Sequence, residues 1–291
     1  MRKDFAVFIL SHGRANNMKT LKSLKDCGYT GKIYIIIDNE DKQRDLYEKL
    51  DCTKVIIFDK KEEMKKTDTI DNYGDHRLVV YARNKCHDIA KELGLTYFLV
   101  LDDDYTGFYF RYGKDGKLKA KKMENFDEVV NIMIKFLDET NALSVAFSQA
   151  GDLIGGINND RFQKGLIRKA MNSFFCRVDR PFKFLGSTNE DCNAYTLLGV
   201  QGKLFFTVMT ASLVQLQTQQ NEGGLTDIYL DNGTYVKSFY TVICAPSCAK
   251  IAMMGEKHYR IHHKILWNNC TPKILNERYK KWRTSGELLK Q

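Results

Sequence analysis

Proline is scarce in this sequence, with three among 291 residues, and no low-complexity tract or repeat of fixed period interrupts it. Nothing therefore divides the chain by a rigid linker or a solenoid period, and residues 1–291 read as one domain with two lobes. No apolar run approaches the ~20 residues a membrane-spanning helix needs, so no membrane role is expected. The apolar part of Met1–Leu10 is too short for a signal peptide and passes directly into Ser11-His12-Gly13-Arg14. It reads as a first strand, and the chain as cytoplasmic. The eight cysteines form no CxxC pair and mostly sit inside apolar segments, which fits reduced thiols. Cys244 and Cys248 are close in sequence, but no second pair or histidine at zinc-finger spacing accompanies them, so they read as core packing.

What the sequence does have is positive charge. Lysine and arginine total 45 against 36 aspartates and glutamates, a formal net charge of +9. A basic surface attracts phosphate backbones and anionic substrates over long range. Charge alone does not say which.

The apolar pattern alternates strand and helix through the first 104 residues. Phe5–Leu10, Lys32–Asp38, Val55–Phe58 and the run ending at Asp102 read as strands, rich in β-branched residues. Between them, Met18, Leu21 and Leu24, and then Leu78, Ala82, Cys86, Ile89, Ala90 and Leu93, fall at helical spacing, closed by Gly28 and Gly94. Such alternation predicts a mostly parallel α/β sheet with right-handed crossovers. Beyond it the pattern is mixed. Gly107–Arg111 and Lys117–Lys122 flank a hairpin turn at Lys114-Asp115-Gly116, and Val129, Ile132, Met133, Phe136 and Leu137 mark a helix. Ala142–Phe147, Phe174–Val178 and Leu204–Met209 read as strands, and 227–240 is ambiguous.

The most informative stretch is Tyr97-Phe-Leu-Val-Leu-Asp-Asp-Asp-Tyr105, an apolar run that stops on Asp102, Asp103 and Asp104. Ligands of open α/β sheets bind outside the carboxyl ends of the strands. Adjacent carboxylates repel one another, and a hard divalent cation such as Mg²⁺ or Mn²⁺ relieves that repulsion. A solvated turn or a helix cap accounts equally well for an isolated triplet.

Other motifs point the same way. Ser11-His12-Gly13-Arg14 follows the first strand, where glycine permits close backbone approach and arginine clamps phosphate. Asp38 ends the second strand, placed to accept hydrogen bonds from a ribose, or simply to make a turn. Arg83, inside a core-facing helix, is expensive unless paired, with the acidic triplet or a diphosphate as partner. Arg77 is six residues away and in reach of the same anion. Gly186-Ser187-Thr188-Asn189-Glu190-Asp191 resembles a helix start with Ser187 or Thr188 as N-cap, or supplies a general base.

In this order, Phe8-Ile-Leu-Ser-His-Gly-Arg14, Tyr34-Ile-Ile-Ile-Asp-Asn-Glu-Asp41, Tyr81-Ala-Arg-Asn84, Leu101-Asp-Asp-Asp-Tyr105 and then Asn189-Glu-Asp191 resemble the GT-A glycosyltransferases. More narrowly, they resemble the phage TET-associated glycosyltransferases, which modify hydroxymethylated pyrimidines in DNA. The resemblance covers most of residues 5–195 and His262-His263, with nothing specific between 200 and 255. It implies a Rossmann-like, mostly parallel nucleotide-sugar-binding half over 1–105 and a mixed acceptor-binding half over 106–291. It implies Ser11, Arg14, Asp38 and Arg83 around the nucleotide, with Asp102 and Asp104 as a DxD pair toward ribose and metal diphosphate. Asp103 either assists at the donor sugar or points away. His262 or His263 completes the Mn²⁺ or Mg²⁺ site, only one of them if a strand points them to opposite faces; His258 is a weaker candidate. Asp191 is the expected base, with Glu190 as runner-up.

The expectation is thus a metal-dependent enzyme moving a sugar, most simply glucose from UDP-glucose, onto 5-hydroxymethylcytosine in DNA, in a host cytoplasm if phage-encoded. Lys117–Lys122 and Tyr279-Lys-Lys-Trp-Arg283, with Tyr109, Tyr112 or Trp282 for stacking, are candidate DNA contacts. The competing readings are a sugar nucleotidyltransferase, whose glycine-rich first loop Ser11-His12-Gly13-Arg14 lacks, and a non-catalytic DNA-binding module.

Overall fold

A computed structural model describes residues 1–71, 73–169, 172–215, 235–254 and 260–272. The first apolar run forms β1 (Phe5–Leu10), all six residues buried. A strand covered on both faces needs no apolar–polar alternation, which is why it reads as a continuous run. α1 (Lys19–Asp26) leads to β2 (Lys32–Asp38), α2 (Arg44–Tyr47), β3 (Lys54–Phe58), α3 (Lys60–Met64), α4 (Val79–Glu92) and β4 (Tyr97–Asp102). Then come β5 (Tyr105–Lys114), β6 (Lys117–Lys122), α5 (Phe126–Thr140), β7 (Ser144–Ser148), α6 (Asp160–Lys164), β8 (Leu166–Ile167), β9 (Phe174–Arg177), α7 (Glu190–Val200) and β10 (Phe205–Gln215). α8 (Lys237–Cys244) packs on a separate antiparallel hairpin of β11 (Ala249–Met254) and β12 (Arg260–Ile265).

The main sheet has the order β3-β2-β1-β4-β9-β7-β10-β5-β6, with β8 paired to β10. Its first four strands are mutually parallel, as the alternating pattern requires. The rest is mixed: β9 runs antiparallel between β4 and β7, and β5 antiparallel to β10. The architecture is the α/β mixed sheet that the resemblance implied.

Alternate residues of β1 enter two different cores, the period-two geometry of a strand. Phe5, Val7 and Ile9 pack with Leu21 and Leu24 of α1 and Val130 and Ile134 of α5. Ala6, Phe8 and Leu10 pack with Tyr81, Cys86 and Ile89 of α4 and Ala194 and Tyr195 of α7. Phe8 stacks on Phe98 of β4 with 5.4 Å between ring centroids. All eight cysteines are free thiols.

Two strands outrun their apolar patterns. β5 extends to Lys114 and β10 to Gln215, well past the predicted Arg111 and Met209: the end of β5 is held by exposed pairing with β6, and the end of β10 by pairing with β5 and burial of Ala211 and Leu213. β10 changes register between Val208 and Ser212 and again at Val214/Gln215, and its end thereby lies beside Tyr105.

The chain moves outward from β1 to β2 and β3, then returns through α4 to β4 on the other side of β1. That reversal is a topological switch point, where the loops leaving neighbouring strands diverge and open a crevice. Leu10 pairs with Asp102, so Ser11 and Asp103 leave the sheet side by side.

Candidate active site

At the switch point the two loops are joined through Asp103, which is 3% exposed. Ser11 Oγ donates to Asp103 Oδ2 at 2.6 Å, and Arg14 Nη1 lies 3.1 Å from Oδ1. Because a carboxylate only accepts, the Ser11 hydroxyl takes its own hydrogen bond from Tyr47 Oη at 2.8 Å, which in turn accepts from the Arg14 amide at 2.8 Å. Tyr47, on α2, is fully buried. Burial pushes the Asp103 carboxyl above its ordinary range, against the opposing pull of Arg14 and Ser11. Asp103 therefore does not point away from the site: a buried carboxylate requires partners, and the β1 loop supplies them. The Asp103-Asp104 turn is itself pinned by Thr20 of α1, whose hydroxyl donates to the Asp102 carbonyl and accepts from the Tyr105 amide.

Gly13 adopts φ +67° and donates its amide to Asp41 Oδ2 at 2.8 Å. Nothing lies within 4 Å of where its Cβ would be, so the left-handed turn, not crowding, explains the glycine. Asp38 is buried and already partnered: it binds His12 Nδ1 at 2.7 Å and Lys60 Nζ at 2.9 Å. Burial alone would raise the Asp38 carboxyl, but these two cations outweigh it and hold it below its ordinary value. The same contact raises His12, whose ring is 44% exposed. His12 is thus the solvent-facing polar group and Asp38 its anchor.

Arg83, 3% exposed on α4, joins β4 to α7. Its Nη2 lies 3.1 and 3.2 Å from the two oxygens of Asp102, and its Nη1 lies 2.6 Å from Glu190 Oε1. The rings of Phe174 and Phe184 close over the guanidinium at 5.3 and 5.9 Å. The acidic triplet is therefore Arg83's partner, as the expense of burying it demanded. Arg77 is not brought to the same place: it pairs with Asp75 at 2.8 Å. Glu190 is committed to Arg83, with its carboxyl pushed up by burial.

Asp104 differs from both neighbours. Its Oδ2 accepts from Gln215 Nε2 at 3.3 Å, while its Oδ1 is buried with no hydrogen-bond partner. Burial, then the charges of Asp102 and Asp103, push its carboxyl up to about 7. An orphaned oxygen on a repelled carboxylate fits a divalent cation, which takes hard oxygen donors. Among the described residues no three His, Cys, Asp or Glu side chains gather as a metal cluster.

The first turn of α7 sits against β12. Its cap is Asn189, at φ 55°, and not Ser187 or Thr188. Ser187 is drawn instead to the Thr69 carbonyl and Asp71. The Asn189 amide reaches the Lys237 carbonyl at 2.6 Å and His263 Nδ1 at 3.1 Å. His263 Nε2 lies 3.7 Å from Cys192 Sγ, and burial lowers its pKa to about 4. His262 and His263 do not splay apart: Nδ1 of His262 donates to the His263 carbonyl, which folds its ring to 4.4 Å from its neighbour's. Neither is brought into a metal cluster with Asp102 and Asp104. Asp191, half-buried, makes no hydrogen bond or ion pair to a described residue. His258 and Tyr279–Arg283 lie outside the described residues. Tyr47, Thr20, Lys60 and Gln215 were missed by sequence reasoning; none belongs to a motif, and only the fold brings them in.

The chain is thus an α/β protein with a mixed sheet and three carboxylates at its switch point. Residues 5–224 match the family described as TET-Associated Glycosyltransferase, and the chain belongs to that family. No curated protein sequence matches it. A solved structure, glucosyl-3-phosphoglycerate synthase from Mycobacterium tuberculosis in complex with Mn²⁺, UDP and phosphoglyceric acid, aligns with a TM-score of 0.42 at 9% identity. The alignment covers 90% of this chain and 86% of that one. Among the described residues no helix is long and apolar enough to cross a membrane.

Removing Arg83 leaves two carboxylates facing each other. Arg83→Leu is expected to cost about 3–5 kcal/mol in urea unfolding, and adding Glu190→Gln to restore part of it; purely additive losses would contradict the ion triad. For His12, an NMR titration is expected to give a midpoint above about 6.5 that falls back in Asp38→Asn. With Asp38 ionised, the stabilisation that His12 gains from this contact is full below its unfolded-state value and is lost as pH rises through the folded one. A midpoint unchanged by Asp38→Asn would refute it.

Proposed function

We propose that this glycosyltransferase moves a sugar from a nucleotide diphosphate, glucose from UDP-glucose in the simplest case, onto the hydroxymethyl group of 5-hydroxymethylcytosine in DNA. The observation that carries the reading is the unpartnered Asp104 oxygen at the switch point of a TET-associated glycosyltransferase family member. DNA as acceptor is supported by the family's association with TET and by the net charge of +9.

Asp104, with the donor diphosphate, would hold Mn²⁺ or Mg²⁺, which when bound neutralises negative charge developing on the leaving nucleotide. The remaining work falls to the chain. Ser11 and Arg14, fixed by Asp103 and Tyr47, shape the nucleotide side of the crevice, and His12 presents an exposed imidazole there. Asp102 keeps Arg83 in place, and Arg83 holds Glu190 and so the first turn of α7 toward β4. Asp191 follows Glu190 and acts electrostatically on Arg83, as Asp102 does. In this reading Asp191 takes the proton of the acceptor hydroxyl. That oxygen bonds to the anomeric carbon as the carbon–oxygen bond to the diphosphate breaks, its electron pair leaving with the nucleotide. Displacement from the opposite side inverts the anomeric centre.

The test is incubation of hydroxymethylcytosine DNA with a panel of nucleotide sugars and Mn²⁺, followed by nucleoside mass spectrometry. A one-sugar mass gain is expected, with turnover about 10²–10⁴-fold lower in Asp191→Asn. No gain with any sugar would sink the DNA assignment, and wild-type turnover in Asp191→Asn would dispose of the base.

A further inference from the structure

The strand that leaves the acidic turn carries an unusual surface. β5 starts at Tyr105, directly after Asp104, and runs ten residues to Lys114, a reach of roughly 30 Å. With β6 it forms a hairpin holding Arg111, Lys114, Lys117, Lys119, Lys121 and Lys122 against the single carboxylate Asp115.

Register separates these residues by face. Residues directly opposite in an antiparallel pair share a face, so Phe110–Lys121, Tyr112–Lys119 and Lys114–Lys117 lie together, and Tyr109–Lys122, Arg111–Ala120 and Gly113–Leu118 lie on the other side. The second set is partly covered, with Tyr109, Arg111 and Leu118 half-buried. A Cβ on Gly113 would meet Ile157 at 2.5 Å, and the Leu118 side chain lies against Gly156. Arg111 donates to Ser212 and stacks over Tyr109.

The first set is open. Phe110 is 42% and Tyr112 43% exposed, and all four of its lysines are exposed. None of Lys114, Lys117, Lys119 and Lys121 has an ion-pair partner among the described residues, whereas Lys122 on the other face pairs with Asp26 at 3.9 Å. Lysines on an edge strand also block strand addition, but that purpose leaves two large exposed aromatics beside them unexplained.

We propose that this face binds a nucleic-acid strand, the part of the DNA that flanks the acceptor base; the proposal rests on the DNA-acceptor reading above. Lys117, Lys119 and Lys121 recur every ~6.8 Å along β6. Phe110 and Tyr112 interleave with them across the hairpin and offer π-faces to unpaired bases, the combination that binds single strands without sequence preference. β5 joins this surface to the acidic turn, with the buried Tyr105 and Phe108 between Asp104 and the exposed Phe110. Unpaired bases there match an acceptor nucleotide drawn out of its duplex.

The test is fluorescence anisotropy of the full chain with a labelled single-stranded oligonucleotide, its duplex, and phosphatidylserine vesicles, over a salt series. We expect tighter binding to the single strand. The Lys117→Ala/Lys119→Ala/Lys121→Ala variant should lower the log–log salt slope by about two. The Phe110→Ala/Tyr112→Ala variant should weaken single-strand binding about tenfold or more at an unchanged slope, with both variants melting at the wild-type temperature. Wild-type DNA binding that neither variant alters would overturn the hairpin assignment and leave the DNA-acceptor reading standing. No wild-type binding to DNA would overturn both. Vesicle binding without DNA binding, lost in the lysine variant, would give the face to anionic lipid.

Discussion

The site depends on one buried cation. Arg83 sits on a helix whose other inward residues are mostly apolar, held between Asp102 at the end of β4 and Glu190 at the start of α7. An isolated guanidinium there would be prohibitively desolvated, so its two carboxylates are a requirement of the fold. One amino nitrogen hydrogen-bonds Asp102 and the other lies in ion-pair range of Glu190, while Phe174 and Phe184 cover the guanidinium. Through this residue the nucleotide-side strands and the first turn of α7 are held in a fixed relation, which a base at Asp191 would need.

The fate of the acidic triplet follows from that commitment. Successive residues at a strand end diverge, and here each meets a different environment. Asp102 neutralises Arg83. Asp103 closes the β1 loop through Ser11 and Arg14. Asp104 is left with one partner on one oxygen and two like charges beside it. A carboxylate kept in that condition destabilises the chain unless something binds it, and such local conflicts concentrate at functional sites.

The parallel half of the fold was legible because burial on both faces writes itself as continuous apolar runs; β1, β2 and β4 carry their ends in the sequence. The limits of β5 and β10 were not: the end of β5 is exposed and held by pairing with β6, and the buried Ala211 and Leu213 of β10 lie within or beyond a register shift that breaks its pattern. The helix start before α7 misled for a chemical reason: Ser187 and Thr188 are common caps, but Asn189 takes the left-handed position and commits its side chain to Lys237 and His263. The order of the motifs placed the triplet, Ser11, Arg14 and Arg83 together, and the fold does bring them into contact at the ends of β1 and β4. Their roles could not be read from that order: that Asp38 anchors His12, or that Tyr47 and Thr20 support the turn, depends on contacts between residues far apart in sequence. The hairpin β11–β12 gave no pattern because it lies outside the main sheet and β12 carries Arg260, His262, His263 and Lys264 in place of an apolar run.

The central claim is that Asp104, alone of the three, is reserved for a metal-bound donor. Titration calorimetry of UDP with Mn²⁺ present, on wild type and Asp104→Asn, tests it most directly. The account predicts that Asp104→Asn folds at least as stably as wild type, since a repelled buried charge is gone, while Mn²⁺-dependent UDP affinity falls at least roughly tenfold. An Asp104→Asn protein that binds Mn²⁺ and UDP as wild type does would contradict it.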